Sequence, residues 1–169
     1  MIYERNAGIN NGGSVAISAS STRPDNTDAY IAGDVVGTSP ATNISFSGVS
    51  SVAGGSVVLQ SISLRIDVAA IPAGMSTFRL HLYNADPTAI ADSAAYNLPS
   101  GDRTKYLGFI EVDTPIDLGD TLWVQKDNIG MLINLATGST SLYGMLETRG
   151  GYTPTALVAK TLALHVLEV

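Results

Sequence analysis

The chain has 169 residues, of which 45% are hydrophobic and only 14% charged, and its net charge is −6. This length suits one domain with a sizeable core, and the apolar content excludes a disordered chain. The acidic balance argues against nucleic acid and anionic membranes as partners, and the absence of cysteine excludes disulfides and thiolate metal sites.

The first 13 residues show no hydrophobic periodicity and end in an Asn-Asn-Gly-Gly run. We predict an extended arm over residues 1–13, followed by a single domain over residues 14–169. Ile2, Tyr3 and Ile9, together with Arg5, are the candidate contacts of this arm, because a flexible segment with a few apolar anchors orders on a partner surface. The arm has no apolar run typical of a secretory signal, so we expect synthesis and use in the cytoplasm.

The domain itself shows repeated period-two alternation, which predicts β-strands. Val15 and Ile17 alternate with small residues, and Ile44 alternates in the same way with Ser45. Val58, Ile62, Leu64 and Ile66 are predicted to share one face of the next strand, opposite a solvated face that carries Ser61, Ser63 and Arg65.

The second half of the chain continues the pattern. Phe78, Leu80 and Leu82 form one predicted face, and Arg79, His81 and Tyr83 form the other. A helical turn is predicted only over residues 87–96, after Asp86-Pro87, and further strands follow up to about residue 166. Short strands separated by Gly, Pro, Asn and Asp turns predict an all-β fold, an antiparallel jelly-roll-like β-sandwich with a short helical turn and an extended N-terminal arm.

No catalytic constellation is evident in the sequence. His81 and His165 are the only histidines, both lie on the polar faces of predicted strands, and neither has a sequence-evident set of partners. A zinc site or a Ser-His-Asp relay would need such partners, so we predict no catalytic residue, no bound metal and no cofactor.

Carboxylates gather in predicted turns and leave two interpretations open. Asp86, Asp92, Asp117 and Asp120 could hold calcium or, facing each other across a cleft, hydrolyse a glycoside. Aspartate is also a common turn residue, because its side chain bonds to its own backbone. No calcium-binding loop motif is present, so turn chemistry is the favoured interpretation.

Six segments in order along the chain carry a family resemblance: residues 28–37 (DAYIAGDVVG), 54–61 (GGSVVLQS), 80–84 (LHLYN), 92–96 (DSAAY), 107–110 (LGFI) and 142–150 (LYGMLETRG). Together they resemble proteins that decorate or cement the heads of tailed bacteriophages. The resemblance covers most of the chain from residue 28 onward.

This resemblance implies a minor capsid protein on the outer surface of the virion, assembled in the host cytoplasm. Its implied partners are the major capsid protein, whose neighbouring subunits it would bridge, and further copies of itself in a homodimer or homotrimer. Two alternatives stay open. A carbohydrate- or receptor-binding module of a phage fibre or head appendage would use exposed aromatic side chains, and a hydrolase would need converging carboxylates in a cleft.

Overall fold

The structure, a computed structural model, describes residues 13–169. This part of the chain consists of β-strands joined by loops, with one short 3-10 helix. In chain order the elements are β1 (Ser14–Thr22), β2 (Ile44–Phe46), β3 (Ser56–Ile66), β4 (Phe78–Tyr83), the 3-10 helix (Ser100–Asp102), β5 (Tyr106–Val112), β6 (Ile116–Asp117), β7 (Leu122–Lys126), β8 (Met131–Asn134), β9 (Leu142–Thr148) and β10 (Ala159–Glu168). No helix in residues 13–169 has the length and apolarity needed to cross a membrane.

The strands form two antiparallel sheets with the strand order of a jelly roll. The first sheet runs β1-β10-β3-β7-β6, with β8 also paired to β3, and the second runs β2-β9-β4-β5. Early strands therefore pair with late ones in nested fashion: β1 with β10, β2 with β9, β3 with β7 and β8, and β4 with β5. This nesting is a long hairpin rolled into two sheets, and the predicted all-β sandwich is confirmed.

The core lies between the two sheets. The predicted inward faces of β4 and β10 are confirmed, since Phe78, Leu80 and Leu82 are inaccessible to solvent and Leu162, Leu164 and Val166 are buried opposite them. Burial on this scale supplies most of the stabilisation of a sandwich. The low share of charged residues in the sequence agrees with a core of this size between two sheets.

The predicted face of β3 is wrong at Val58. Ser61 pairs with His165 and Leu59 with Val166, so Gln60 is an extra residue that forms a β-bulge. The bulge shifts the alternation by one residue, and Val57 and Leu59 point into the core in place of Val58. A period-two pattern read across a bulge assigns the residues on one side to the wrong face.

The predicted helical turn over residues 87–96 is also wrong. Ala94 N closes a single turn onto Ala91 O (3.2 Å), but Ser93 has a φ of 58°, outside the right-handed helical region, so no helix continues. The following backbone forms strand-like hydrogen bonds, from Val35 N to Ala94 O (2.9 Å) and from Tyr96 N to Gly33 O (2.8 Å). The 3-10 helix begins after Pro99.

The predicted arm lies outside the described residues except for its last residue, Gly13. The Gly13 carbonyl accepts a hydrogen bond from Glu168 N (3.3 Å), so Gly13 lies beside the end of β10.

Candidate interaction surface

No segment of residues 13–169 folds over the outer face of the first sheet, and we call it the open face. Its side chains alternate with core residues on four neighbouring strands, and the strand register aligns them in rungs across the sheet. They are Ser14, Ala16, Ser18, Ser20 and Thr22 on β1, Thr161, Ala163, His165 and Leu167 on β10, Ser61, Ser63 and Arg65 on β3, and Trp123 and Gln125 on β7.

Arg65 is the only residue with a permanent charge among these side chains. It pairs with Asp67 at the rim of the face (3.0 Å) and both side chains are nearly half exposed. Arg65 also donates to the Thr161 hydroxyl (3.4 Å), which contacts the hydroxyl of Ser20 (2.8 Å), and Gln125 donates to Asp127 (2.7 Å). The face is therefore close to uncharged, with small side chains on β1 and longer ones on the strands beside it.

Ser61 and Ser63 differ from the prediction of a solvated face. They are 9% and 4% exposed, because β3 is an inner strand flanked by β10 and β7. Neighbours with longer side chains, such as Gln125, lie beside these short hydroxyls in the same rungs.

Strand β1 forms one edge of the first sheet. It spans nine residues that pair continuously with β10, and it contains no charge, no proline and no bulge. Natural sheets normally protect long edge strands with one of these devices, because an unpaired row of N–H and C=O groups invites another strand. The edge of β1 and the adjoining open face thus form one continuous surface suited to contact with a partner.

The outer face of the second sheet is covered by the chain itself. Residues 84–105, which we call the covering segment, connect β4 to β5. Within this segment Tyr96 stacks on His81 with ring centroids 3.6 Å apart, and its hydroxyl contacts that of Tyr83 (2.7 Å). As a result, His81 and Tyr83 are 3% and 1% exposed although they point away from the core.

Under this cover His81 lies in a hydrogen-bonded cluster. Its Nε2 is 2.7 Å from a carboxylate oxygen of Glu147, and its Nδ1 is 3.0 Å from the Tyr106 hydroxyl. Glu147 also accepts a hydrogen bond from Arg149 (2.6 Å). The arrangement fits a neutral imidazole that donates from Nε2 to Glu147 and accepts at Nδ1 from Tyr106.

The electrostatics of the cluster agree with that assignment. Burial lowers the pKa of His81, despite the opposing effect of the hydrogen bond to Glu147. Burial alone would raise the pKa of Glu147, but hydrogen bonds from His81 and Arg149 outweigh it and lower that pKa. Burial also raises the pKa of Tyr106 to about 12. At neutral pH the cluster thus holds one carboxylate among neutral rings.

The cluster has the elements of a relay but lacks access. A general base must come within hydrogen-bond reach of a substrate proton. Both ring nitrogens of His81 are already bonded, and Tyr96 lies flat against the ring. His165 lies on the open face, on a different sheet, so the two histidines do not come together.

Two loop carboxylates, Asp117 and Asp102, accept hydrogen bonds that stabilise their loops. Asp117 accepts from Gly119 N (2.7 Å), which is the expected turn chemistry. Asp102 accepts from Thr88 N (2.9 Å) and from Lys105 (2.8 Å), and these hydrogen bonds lower its pKa to about 2. Within residues 13–169, no group of three or more His, Asp or Glu side chains is arranged to hold a metal ion.

A buried ionic cluster lies at the end of the sandwich where β1 ends and β10 begins. Arg23 donates to Asp92 (3.1 Å) and to the Tyr30 hydroxyl (2.9 Å), and Tyr30 donates to Asp92 (2.6 Å). Lys160 lies nearby and donates to Gly37 O (3.0 Å). This cluster was not predicted from the sequence, because its members are far apart in the chain. Its one local sign is Lys160, which interrupts the apolar alternation of β10.

A surface groove of about 530 Å³ runs along β2. Its walls include the ring of Tyr143 and the polar side chains of Asn43, Ser45 and Asp86. The Asn43 amide donates to Asp86 (2.8 Å) and to Pro87 O (2.6 Å). Phe109, at 47% exposure, is the most exposed aromatic residue in the described part of the chain, and it lies under Arg79 at the opposite edge of the same outer face.

The candidate arm contacts, Ile2, Tyr3, Arg5 and Ile9, lie outside the described residues.

The sequence matches no protein-family model, and no curated protein is similar to it. Among solved structures, it is similar to the structure of tomato aspermy virus, with a TM-score of 0.35 and 10% identity over 92% of this chain and 78% of that chain. It is also similar to a heated full particle of Israeli acute paralysis virus (TM-score 0.32, 13% identity, 94% and 74% covered) and to a lipoprotein of Bacteroides thetaiotaomicron (TM-score 0.32, 8% identity, 92% and 83% covered). These values are too low to assign a function, and the fold assignment rests on the strand order described above.

Proposed function

We propose that this protein decorates the head of a tailed bacteriophage, binding the outer capsid surface and holding neighbouring major capsid subunits together. The sequence resemblance of residues 28–150 suggests the role. The observation that carries it is the open face, a nearly uncharged sheet surface that adjoins β1, an edge strand without charge, proline or bulge. Such a surface loses little on desolvation and fits a broad protein contact.

The mechanism would be thermodynamic and would need no chemistry. A ligand that binds only the assembled shell stabilises it by mass action. Because many copies bind one shell, modest affinity at each site is sufficient to stabilise the whole shell. The enclosed His81 cluster would then serve to hold the covering segment in place.

Self-association into a dimer or trimer belongs to the same proposal. The edge of β1 can pair with a strand of another copy, and no charged side chain on β1 would repel it. Sedimentation that shows only monomer, both free and on shells, would count against this part of the proposal.

The arm supplies the second contact. Ile2, Tyr3, Arg5 and Ile9 would anchor on the major capsid protein or on a neighbouring copy. Ordering the arm costs roughly 1–2 kcal/mol per residue, so its contacts must bury substantial apolar area.

Co-sedimentation with capsids that lack the protein tests the proposal. The full chain should bind to a defined saturation, and a chain without residues 1–13 should bind more weakly while unfolding at about the same temperature. A full chain that does not bind such shells would refute the decoration role. Equal binding by the truncated chain would refute the role of the arm alone.

A second candidate is a carbohydrate-binding module, favoured by the groove at Tyr143. Sugars bind through stacking on an aromatic ring and hydrogen bonds to convergent polar groups, and the groove offers both. Against it, Tyr30, Tyr83 and Tyr152 are buried and form no exposed platform. Saturable binding in a glycan screen that is lost on Tyr143→Ala would favour this candidate.

A further inference from the structure

Lys160 is a buried cation whose surroundings neutralise it incompletely. It points inward from β10 with 3% of its surface exposed. Its ammonium donates to one acceptor in the described chain, Gly37 O, although an ammonium carries three donors. No carboxylate oxygen of residues 13–169 lies within 4.0 Å of it.

The nearest carboxylate belongs to Asp92, and it is already engaged. Asp92 accepts hydrogen bonds from Arg23, from the Tyr30 hydroxyl and from Gly37 N (2.8 Å). Two cations, Arg23 and Lys160, therefore share one carboxylate in a buried region. Burial lowers the pKa of Lys160 to about 8, so the ammonium form still predominates at neutral pH. An excess buried charge is costly unless an anion compensates it.

A small cavity lies beside this cation. Its volume is about 30 Å³, and two cations, Arg23 and Lys160, line it together with apolar side chains that include Val68, Pro72, Met75 and Val158. It lies between the loop after β3 and the loop before β10. The cavity thus combines mainly apolar walls with two buried cations, and the donors of Arg23 are already engaged by Tyr30, Asn26, Asp28 and Asp92.

We propose that this cavity binds a carboxylate group attached to a short aliphatic chain, with the carboxylate on Lys160 and the chain extending outward between the two loops. The size agrees with the carboxylate alone inside, since a water-sized group needs about 10–15 Å³ and the cavity accommodates two or three of them. The chemistry agrees as well, because a carboxylate supplies the acceptors that the ammonium lacks. Apolar walls with a few charged groups are typical of small-molecule sites.

The carboxylate could come from a free short-chain acid or from an acidic side chain of a protein partner. The inference is independent of the proposed capsid role, since binding of a free acid requires no shell.

Nuclear magnetic resonance of the lysine side-chain ammonium groups tests the proposal on the full chain. Titration with sodium propionate, against sodium chloride at equal ionic strength, should shift the Lys160 signal saturably and raise its pKa. The signal of Lys126, an exposed lysine paired with Asp113 (3.1 Å), should change equally in propionate and in chloride. A Lys160 response that is identical in the two salts, or that never saturates, would overturn the proposal.

Two variants locate the site. Lys160→Met should abolish the saturable response of nearby methyl groups to propionate, whereas Lys126→Met should leave it unchanged. If Lys160→Met does not fold, Val68→Phe fills the cavity without touching the cation and should weaken propionate binding at least tenfold. Unchanged binding in Val68→Phe would overturn the site. A short peptide with one glutamate, added in place of propionate, distinguishes a protein source from a free acid.

Discussion

The two outer faces of this sandwich start from the same sequence pattern and end differently. Both consist of polar or small residues that alternate with core residues, as on β4 and β10. On the second sheet the covering segment folds over Arg79, His81 and Tyr83, and the polar groups bond to one another. On the first sheet nothing in residues 13–169 covers the rungs around Ser18 and Ala163.

The difference shows what a covered face requires. His81 has partners for both ring nitrogens, and Glu147 has partners for both oxygens, because buried polar groups must be satisfied. The open face carries hydroxyls and methyl groups that satisfy themselves or need no partner. A surface of this kind can be buried against another protein without stranding a charge.

The largest expected effect is on the covered face. Glu147→Ala leaves the buried Nε2–H of His81 without an acceptor and removes the partner of Arg149, so it should lower the free energy of unfolding by about 2–3 kcal/mol. Glu111→Ala is the matched control, because Glu111 also contacts Arg79 but is 46% exposed, and it should cost less than about 1 kcal/mol. Urea unfolding measures both. Equal losses of unfolding free energy in the two variants would mean that the buried contacts of Glu147 stabilise the fold no more than the exposed contact of Glu111.

Tyr96→Phe should have a smaller effect. It keeps the ring over His81 and removes only the hydroxyl that contacts Tyr83, so we expect a loss of about 1 kcal/mol. Urea unfolding should show this loss, and amide hydrogen exchange should show faster opening of residues 84–105. A variant as stable as the parent would show that the stacked ring alone holds the cover.

Acid should loosen the covered face first. The pKa of Asp102 is about 2 in the folded protein against an ordinary 3.8, so its charged form stabilises the fold above about pH 3.8. That contribution is lost as the pH falls from 3.8 toward 2. Hydrogen exchange should show residues 84–105 losing protection in this window before β1 and β10 do. Asp102→Asn should remove most of this pH dependence, and an unchanged pH profile in that variant would contradict the assignment.

The smallest expected effect on stability is on the open face. Ser18→Glu places a charge on an exposed position of β1 and should change the free energy of unfolding by less than about 0.5 kcal/mol. Thermal unfolding in parallel with the parent measures this. A loss of more than about 2 kcal/mol would show that Ser18 serves the fold and not a partner.

Some of this was predictable from the sequence, and the reasons for the rest are specific. Period-two alternation predicted the inward faces of β4 and β10, because those strands are regular. It failed at Val58, because the bulge at Gln60 leaves no composition signal of its own. His81 lies on the polar face of β4 as predicted, but its burial was not predictable, because it depends on a segment that reaches it through the fold.

The site residues also divide into those that the sequence predicts and those that it does not. That Asp117 acts in its own turn was predictable. The long-range partners of Asp86 and Asp92 were not, because Asn43 and Arg23 reach them only through the fold. The buried cluster of Arg23, Asp92 and Lys160 forms only when β1, β10 and the covering segment come together. Lys160 itself was a readable signal, a lysine at an inward position of an otherwise apolar alternation.

The most direct test of the central claim is capsid co-sedimentation of Ser18→Glu beside Thr104→Glu. Both positions are exposed, but Ser18 lies on the open face and Thr104 in the covering segment. If the open face is the contact surface, Ser18→Glu should weaken binding to shells at least tenfold, Ser18→Lys should weaken it as well, and Thr104→Glu should bind like the parent. Binding by Ser18→Glu as tight as that of the parent, or loss of binding only in Thr104→Glu, would contradict the account.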